Sequence, residues 1–171
     1  FDDMPTGARA PGADDNASGS AAVLTAASVL SRYSFERSIR FALFTGEEQG
    51  LLGSAAYALA AKTAGDNIVG VLNADMIAWD ALNGPKLSLF IRPTSNPSFS
   101  NDLALAVAFT NVVNDYGLGA ELVPLITATG MGQSDHASFW SRGYPAMLVI
   151  EEEPGDFTPY YHSVNDNLAH A

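Results

Sequence analysis

Phe41-Ala42-Leu43-Phe44-Thr45-Gly46-Glu47-Glu48-Gln49-Gly50 joins an apolar run to two adjacent carboxylates and a glycine. The run from Arg40 to Phe44 is rich in aromatic and aliphatic residues and reads as a buried strand. Thr45-Gly46 ends it. Glu47 and Glu48 then stand at its carboxyl end, where open α/β sheets place their ligand sites. Neighbouring carboxylates repel, and burying them is costly unless a proton or a cation compensates. A metal ion does so: one carboxylate binds the ion while its neighbour takes a proton from the ion's water. Taken alone, the pair also fits a solvated turn.

On either side of this stretch the chain alternates helix and strand. Residues 1–20 are rich in glycine, proline and Asx residues and read as loop, with Asn16 or Ser18 placed to cap the next helix. Asn16-Ala17-Ser18 also fits an N-glycosylation sequon. From about Ser20 to Arg32, Val23, Ala27 and Leu30 recur at helical spacing. Ser38 to Phe44 is the first strand, Gly50 to Lys62 an alanine-rich helix, and Ile68 to Asp75 a second strand ending in a carboxylate. Strand, helix and strand with short links make a βαβ unit with parallel strands. That places Glu47–Glu48 and Asp75 on one edge of the sheet.

Further on, Lys86 to Ile91 reads as a strand and Asn101 to Tyr116 as a long helix with Leu103, Val107 and Val112 or Val113 inward. Gly117-Leu118-Gly119 stops it. Glu121 to Leu125 reads as an edge strand because Pro124 cannot donate to a ladder. Asp135 to Arg142 is a short helix, Pro145 to Ile150 a final apolar strand ending in Glu151-Glu152-Glu153, and Asn165 to Ala171 the start of a last helix. No repeat or linker interrupts the chain, so residues 1–171 read as one domain.

The composition bounds the function. The 171 residues are 47% hydrophobic and 16% charged, which suits a folded domain with a core. A net charge of -11, from 19 acidic and 8 basic residues, disfavours nucleic acid and anionic membranes as partners. No stretch is long and apolar enough to span a bilayer, and no signal peptide is visible. With no cysteine, metal ligands must be oxygens or one of three histidines. Asp14–Asp15, Glu47–Glu48, Asp75 and His162 supply such groups at loops and strand ends, a set that suits zinc, manganese or cobalt. Ser134-Asp135-His136 is no catalytic triad, since three consecutive residues cannot align as nucleophile, base and orienter, and no G-x-S-x-G elbow is present. His136 reads as a structural histidine.

Several linked motifs, in order, resemble the M28 family of zinc exopeptidases. They are Pro11-Gly12-Ala13-Asp14-Asp15-Asn16-Ala17-Ser18-Gly19, Thr45 to Ser54, Asn73-Ala74-Asp75-Met76, Ser134-Asp135-His136-Ala137-Ser138-Phe139, Gly143-Tyr144-Pro145-Ala146 and His162-Ser163-Val164-Asn165-Asp166. The resemblance is to the secreted bacterial-type leucyl aminopeptidase branch and implies a mixed, largely parallel sheet sandwiched between helices. It implies two zinc ions bridged by Asp15, with Glu48 and His162 on one and Asp75 on the other. Glu47 would be the general base on the bridging water. Peptides with a free N-terminus would be the substrates, and the enzyme secreted or periplasmic. An apolar pocket for the first side chain would draw on Met76, Leu148, Ile150, Phe157 and Tyr161. Met131 stands in the neighbouring loop where some relatives carry an oxyanion-stabilising tyrosine, and Thr129 and Gln133 replace the cysteines that staple it.

Phe1-Asp2 reads as the end of the family's His-x-Asp motif, whose histidine would immediately precede Phe1. Asp2 would then be the group that orients that imidazole. The chain is therefore expected to be truncated just after its first histidine ligand and to hold one zinc firmly or none. A carboxypeptidase or a glutaminyl-cyclase-like transferase on the same scaffold, and a non-catalytic binding domain, are the alternative functions. The intact Glu47–Glu48 pair argues against the last.

Overall fold

Ala146–Glu151 (β4) is buried at all six positions, as its unbroken apolar run requires of an interior strand. In this computed structural model, which describes residues 10–82 and 84–171, β4 lies inside a four-stranded sheet with Val71–Ala74 (β1), Lys86–Phe90 (β2) and Val123–Thr127 (β3). The spatial order is β1-β4-β2-β3. β1 runs parallel to β4 and β2 parallel to β3, while β2 and β4 are antiparallel. β3 is an edge strand, and Pro124 sits in it opposite Leu87.

The two-residue period of β4 divides the core. Met147 and Val149 pack with Leu89, Ile91 and Ala106, the last from helix α3 (Phe99–Asp115). Ala146 faces the other side, with Ala58 and Ala61 of α2 (Leu52–Ala64) and Phe139 of α4 (His136–Trp140). Leu148 and Ile150 join Met76 and Phe90 in a third cluster. Helices therefore cover both faces of the sheet. Helix α1 (Gly19–Leu30) contacts β1. Each fully buried aliphatic side chain, such as Leu148, contributes about 1.5–3 kcal/mol.

Three expectations need correction. Ser38 to Phe44 is not a laddered strand among the described residues, so β1 pairs with β4 and the forecast βαβ neighbour is absent. The alternation is there, with Ile39, Phe41 and Leu43 exposed between better-covered neighbours, but a strand is defined by its partner and not by its pattern. What fixes the run is side-chain contact: the Phe44 ring lies 5.5 Å from Tyr57 and 6.0 Å from Phe139. In α3, Ala106 and Val113 face inward while Val107 and Val112 are exposed. The segment 165–171 forms turns, not a helix. Asp2 falls outside the described residues.

Candidate metal centre

The first ligand-bearing segment is Ala13–Ser18, a helical turn broken at Asp15 and Asn16. Its backbone is gripped from far along the chain: the carboxylate of Asp166 accepts the N–H groups of Asp14 at 2.8 Å and Asp15 at 3.0 Å. Asn16 ties the turn to the end of β1, donating from Nδ2 to the Ala74 carbonyl at 3.0 Å and accepting the Gly19 N–H on Oδ1. That use of its amide leaves Asn16 a structural residue and not an open glycosylation site. A Cβ at Gly19 would lie 2.2 Å from the Ala74 oxygen, so only glycine permits this approach.

The second segment follows Phe44. Gly46 adopts φ +69°, and the Glu47 carbonyl accepts the N–H groups of Gly50 and Leu51, closing a turn into α2. Glu47 and Glu48 sit on that turn, half-buried. The third segment, after β4, is held by buried Asp156, which accepts N–H groups from Trp79, Ala81 and Leu82. It ends at His162, whose φ is +54°.

These segments converge. His162 Nε2 lies 2.7 Å from Glu48 Oε1 and 3.3 Å from Asp15 Oδ2. One ligand atom from each of Asp15, Glu48 and His162 lies within 4.8 Å of the others. Two carboxylates and an imidazole at this spacing are a donor set that fits one divalent ion. Asp75 is not part of that trio. It is buried at the end of β1, where its Oδ2 accepts the Ser134 hydroxyl at 2.6 Å, and Ser134 in turn accepts from Asn73. Burial raises the Asp75 pKa to about 6 against the Ser134 hydrogen bond, with Asp135, Glu48 and Asp14 adding to the rise. An added cation would reverse that direction. Tyr161 stacks on His162 with ring centroids 3.7 Å apart. Its phenol pKa is raised by burial and then by Glu48, Asp15, Glu47 and Asp75, so the hydroxyl shares the field of all four carboxylates.

Beside this centre, Met76, Leu148 and Ile150 are buried with Phe90, and Met131 and Phe157 pack against them. Phe157 meets Tyr161 edge-on at 5.4 Å. Of the six apolar residues named from the sequence, Met131, Phe157 and Tyr161 keep surface, and the other three lie behind them. A hollow of about 510 Å³ lies elsewhere, between Pro11–Ala13 and Asn167–Ala169, and no titratable residue lines it. Asp166 and Asp156, which hold the loops, were not singled out from sequence. Asp166 belongs to the quoted motif beginning at His162, and that was its one signal.

The sequence matches the model of peptidase family M28 over residues 1–171. The chain belongs to peptidase family M28. It is 34% identical over 169 residues to a probable leucine aminopeptidase of Arthroderma otae, covering 95% of this chain and 43% of that protein. It is 32% identical over 176 residues to leucine aminopeptidase 1 of Trichophyton rubrum, covering 97% and 45%. Among solved structures it is similar to the Legionella pneumophila LapA aminopeptidase, with TM-score 0.76 and 27% identity over 94% of this chain and 41% of that one. The zinc aminopeptidase BSAP of Bacillus subtilis gives TM-score 0.74 and 28% identity over 94% and 38%. The chain spans less than half the length of these family members. Among the described residues, no helix is long and apolar enough to cross a membrane.

His136, next to this centre, has a different task. It is fully buried, with Nε2 2.8 Å from the Met131 carbonyl and its ring edge-on to Trp140 at 4.4 Å. Burial lowers its pKa to about 4. The unfolded chain then binds the proton more readily, so this stabilisation is complete above about pH 6.5 and is lost as pH falls from there towards 4. By pH 4 the loss is about 3 kcal/mol. Denaturant melts at pH 7.5 and pH 4.5 should show a smaller acid-induced drop in His136→Gln than in wild type; equal drops would show that His136 is not the group responsible.

Proposed function

We propose that this chain carries the catalytic core of a zinc aminopeptidase. The observation that carries the reading is the convergence of Asp15, Glu48 and His162 with Glu47 on the adjacent position. Asp15, Glu48 and His162 hold one zinc ion. Asp75, with Asp15 shared between them, serves a second ion in the intact enzyme. Bound zinc supplies Lewis-acid polarisation of the scissile carbonyl and of the attacking water. Glu47 takes the proton from that water and later returns it to the leaving amine. Asp14 and Asp166 keep the Asp15 turn in place, and Ser134 orients the Asp75 carboxylate. Asp2, outside the described residues, is assigned the orientation of an upstream histidine ligand.

The apolar surface of Met131, Phe157 and Tyr161, backed by Met76, Leu148 and Ile150, takes the first side chain of a peptide with a free N-terminus. Family membership supports a secreted or periplasmic enzyme. Aminoacyl-p-nitroanilides compared with N-blocked peptides test the class: cleavage must need a free α-amino group and cease with a chelator. Leucyl and methionyl substrates should exceed aspartyl and glutamyl ones by about 100-fold in kcat/KM, because an acidic side chain loses solvation there. A preference for acidic first residues contradicts the pocket. Glu48→Gln should weaken zinc binding; unchanged zinc affinity would remove Glu48 from the ligand set.

A further inference from the structure

Glu151, the last residue of β4, has no exposed surface and no part in the chemistry above. Its N–H donates to the Met76 carbonyl at 2.8 Å, which fixes its backbone. Its Oε1 accepts the N–H of Thr158 at 2.6 Å. Its carboxyl also hydrogen-bonds the carboxyl of Asp14, which is equally buried. The other groups of Asp14 are engaged: its N–H donates to Asp166, its Oδ1 accepts from Ala78 at 2.9 Å, and its carbonyl accepts the Ser18 hydroxyl. Among the described residues, no N–H or hydroxyl donor reaches the buried Asp14 Oδ2 or Glu151 Oε2. Two carboxylates are acceptors only, so a hydrogen bond between them requires a proton held by the pair.

We propose that Glu151 is a positioning residue that clamps two ligand-bearing loops to the end of β4, sharing a proton with Asp14 while accepting the N–H of Thr158. Asp14 immediately precedes Asp15, and Thr158 lies four residues before His162. One side chain thus sets the separation of two members of the trio. Burial, then the Asp14 hydrogen bond, pushes the Glu151 pKa up to about 9 against the N–H groups of Thr158 and Trp79, in keeping with a pair that retains its proton. The inference rests on the zinc reading above.

Glutamine can fill both roles, donating from its amide nitrogen and accepting on its oxygen; methionine has the length and neither function. The test is zinc affinity by chelator competition in the intact protein, with amide exchange of Asp15 and Thr158 in the zinc-free form. Glu151→Gln should bind zinc within about 3-fold of wild type, and Glu151→Met should bind about 10- to 100-fold more weakly, the scale for lost outer-shell support. In Glu151→Met the two amides should exchange faster even without zinc. Wild-type affinity in Glu151→Met, or glutamine as weak as methionine, overturns the clamp. If Glu151→Met does not fold, Glu151→Asp, too short to reach both partners, takes its place. A wild type that binds no zinc overturns the metal reading instead, and the zinc-free exchange then decides the clamp alone.

Discussion

Glu47→Gln is expected to keep the fold and the bound zinc and to lose kcat by about 100-fold or more, the usual scale for a missing general base. The variant keeps the shape of the side chain and removes its basicity. The turn is secured by backbone, since the Glu47 carbonyl anchors the N–H groups of Gly50 and Leu51, so the substitution leaves α2 in place. Glu48, on the next position, makes the contact with His162, which is why the two adjacent carboxylates are assigned different tasks. Steady-state turnover of leucyl-p-nitroanilide with zinc content measured on the same sample checks this. Near-normal turnover would end the assignment of Glu47 as the base.

Asp102→Ala is expected to destabilise the fold by about 3–5 kcal/mol, a large share of the net stability of an ordinary domain. Asp102 has no exposed surface, and Arg92 very little. Its carboxylate pairs with the guanidinium in a two-pronged contact, Nε to Oδ2 and Nη2 to Oδ1, the latter at 2.7 Å. The same guanidinium donates to the Tyr144 carbonyl, and Asp102 Oδ1 also accepts the N–H of Ala146. The pair thus pins α3 to the end of β2 and the start of β4. Removing Asp102 strands a cation that cannot shed its proton. Replacing both partners in Arg92→Met/Asp102→Leu should cost less than the sum of the single changes, since no charge is left buried. Urea melts of the two single variants and the double variant decide it; a loss under about 1 kcal/mol in Asp102→Ala would show that the interior tolerates the unpaired charge.

Much of this architecture was legible because local pattern and tertiary environment agree. Helices α2 and α3 and the strands β2 and β4 lie within a few residues of their expected bounds, since burial on a sheet face imposes the same period that the sequence displays. Ser38 to Phe44 shows the limit. Its alternation is that of a strand, yet pairing is a long-range property and the described residues offer it no ladder. Val107 fails for another reason: it shares a helical repeat with Leu103, while the buried stripe runs through Ala106 and Val113, and alanine is a weak hydrophobic signal.

The candidate ligands were legible because carboxylates at strand ends and in glycine-rich loops are conspicuous. The groups that hold those ligands were not. Asp166 and Glu151 act on residues about 150 and 137 positions away in the chain, and no local spacing announces such contacts. The site is therefore read in two steps. Chemistry-bearing residue types stand out in the sequence, and the hydrogen bonds that orient them emerge only from the fold.

The central claim is that Asp15, Glu48 and His162 together bind zinc. Anomalous diffraction at the zinc edge, from crystals of the intact protein, tests it most directly. The predicted result is a peak about 2.0–2.2 Å from a carboxylate oxygen of Asp15, a carboxylate oxygen of Glu48 and a ring nitrogen of His162. Zinc bound at other residues, with His162 still hydrogen-bonded to Glu48, would contradict it.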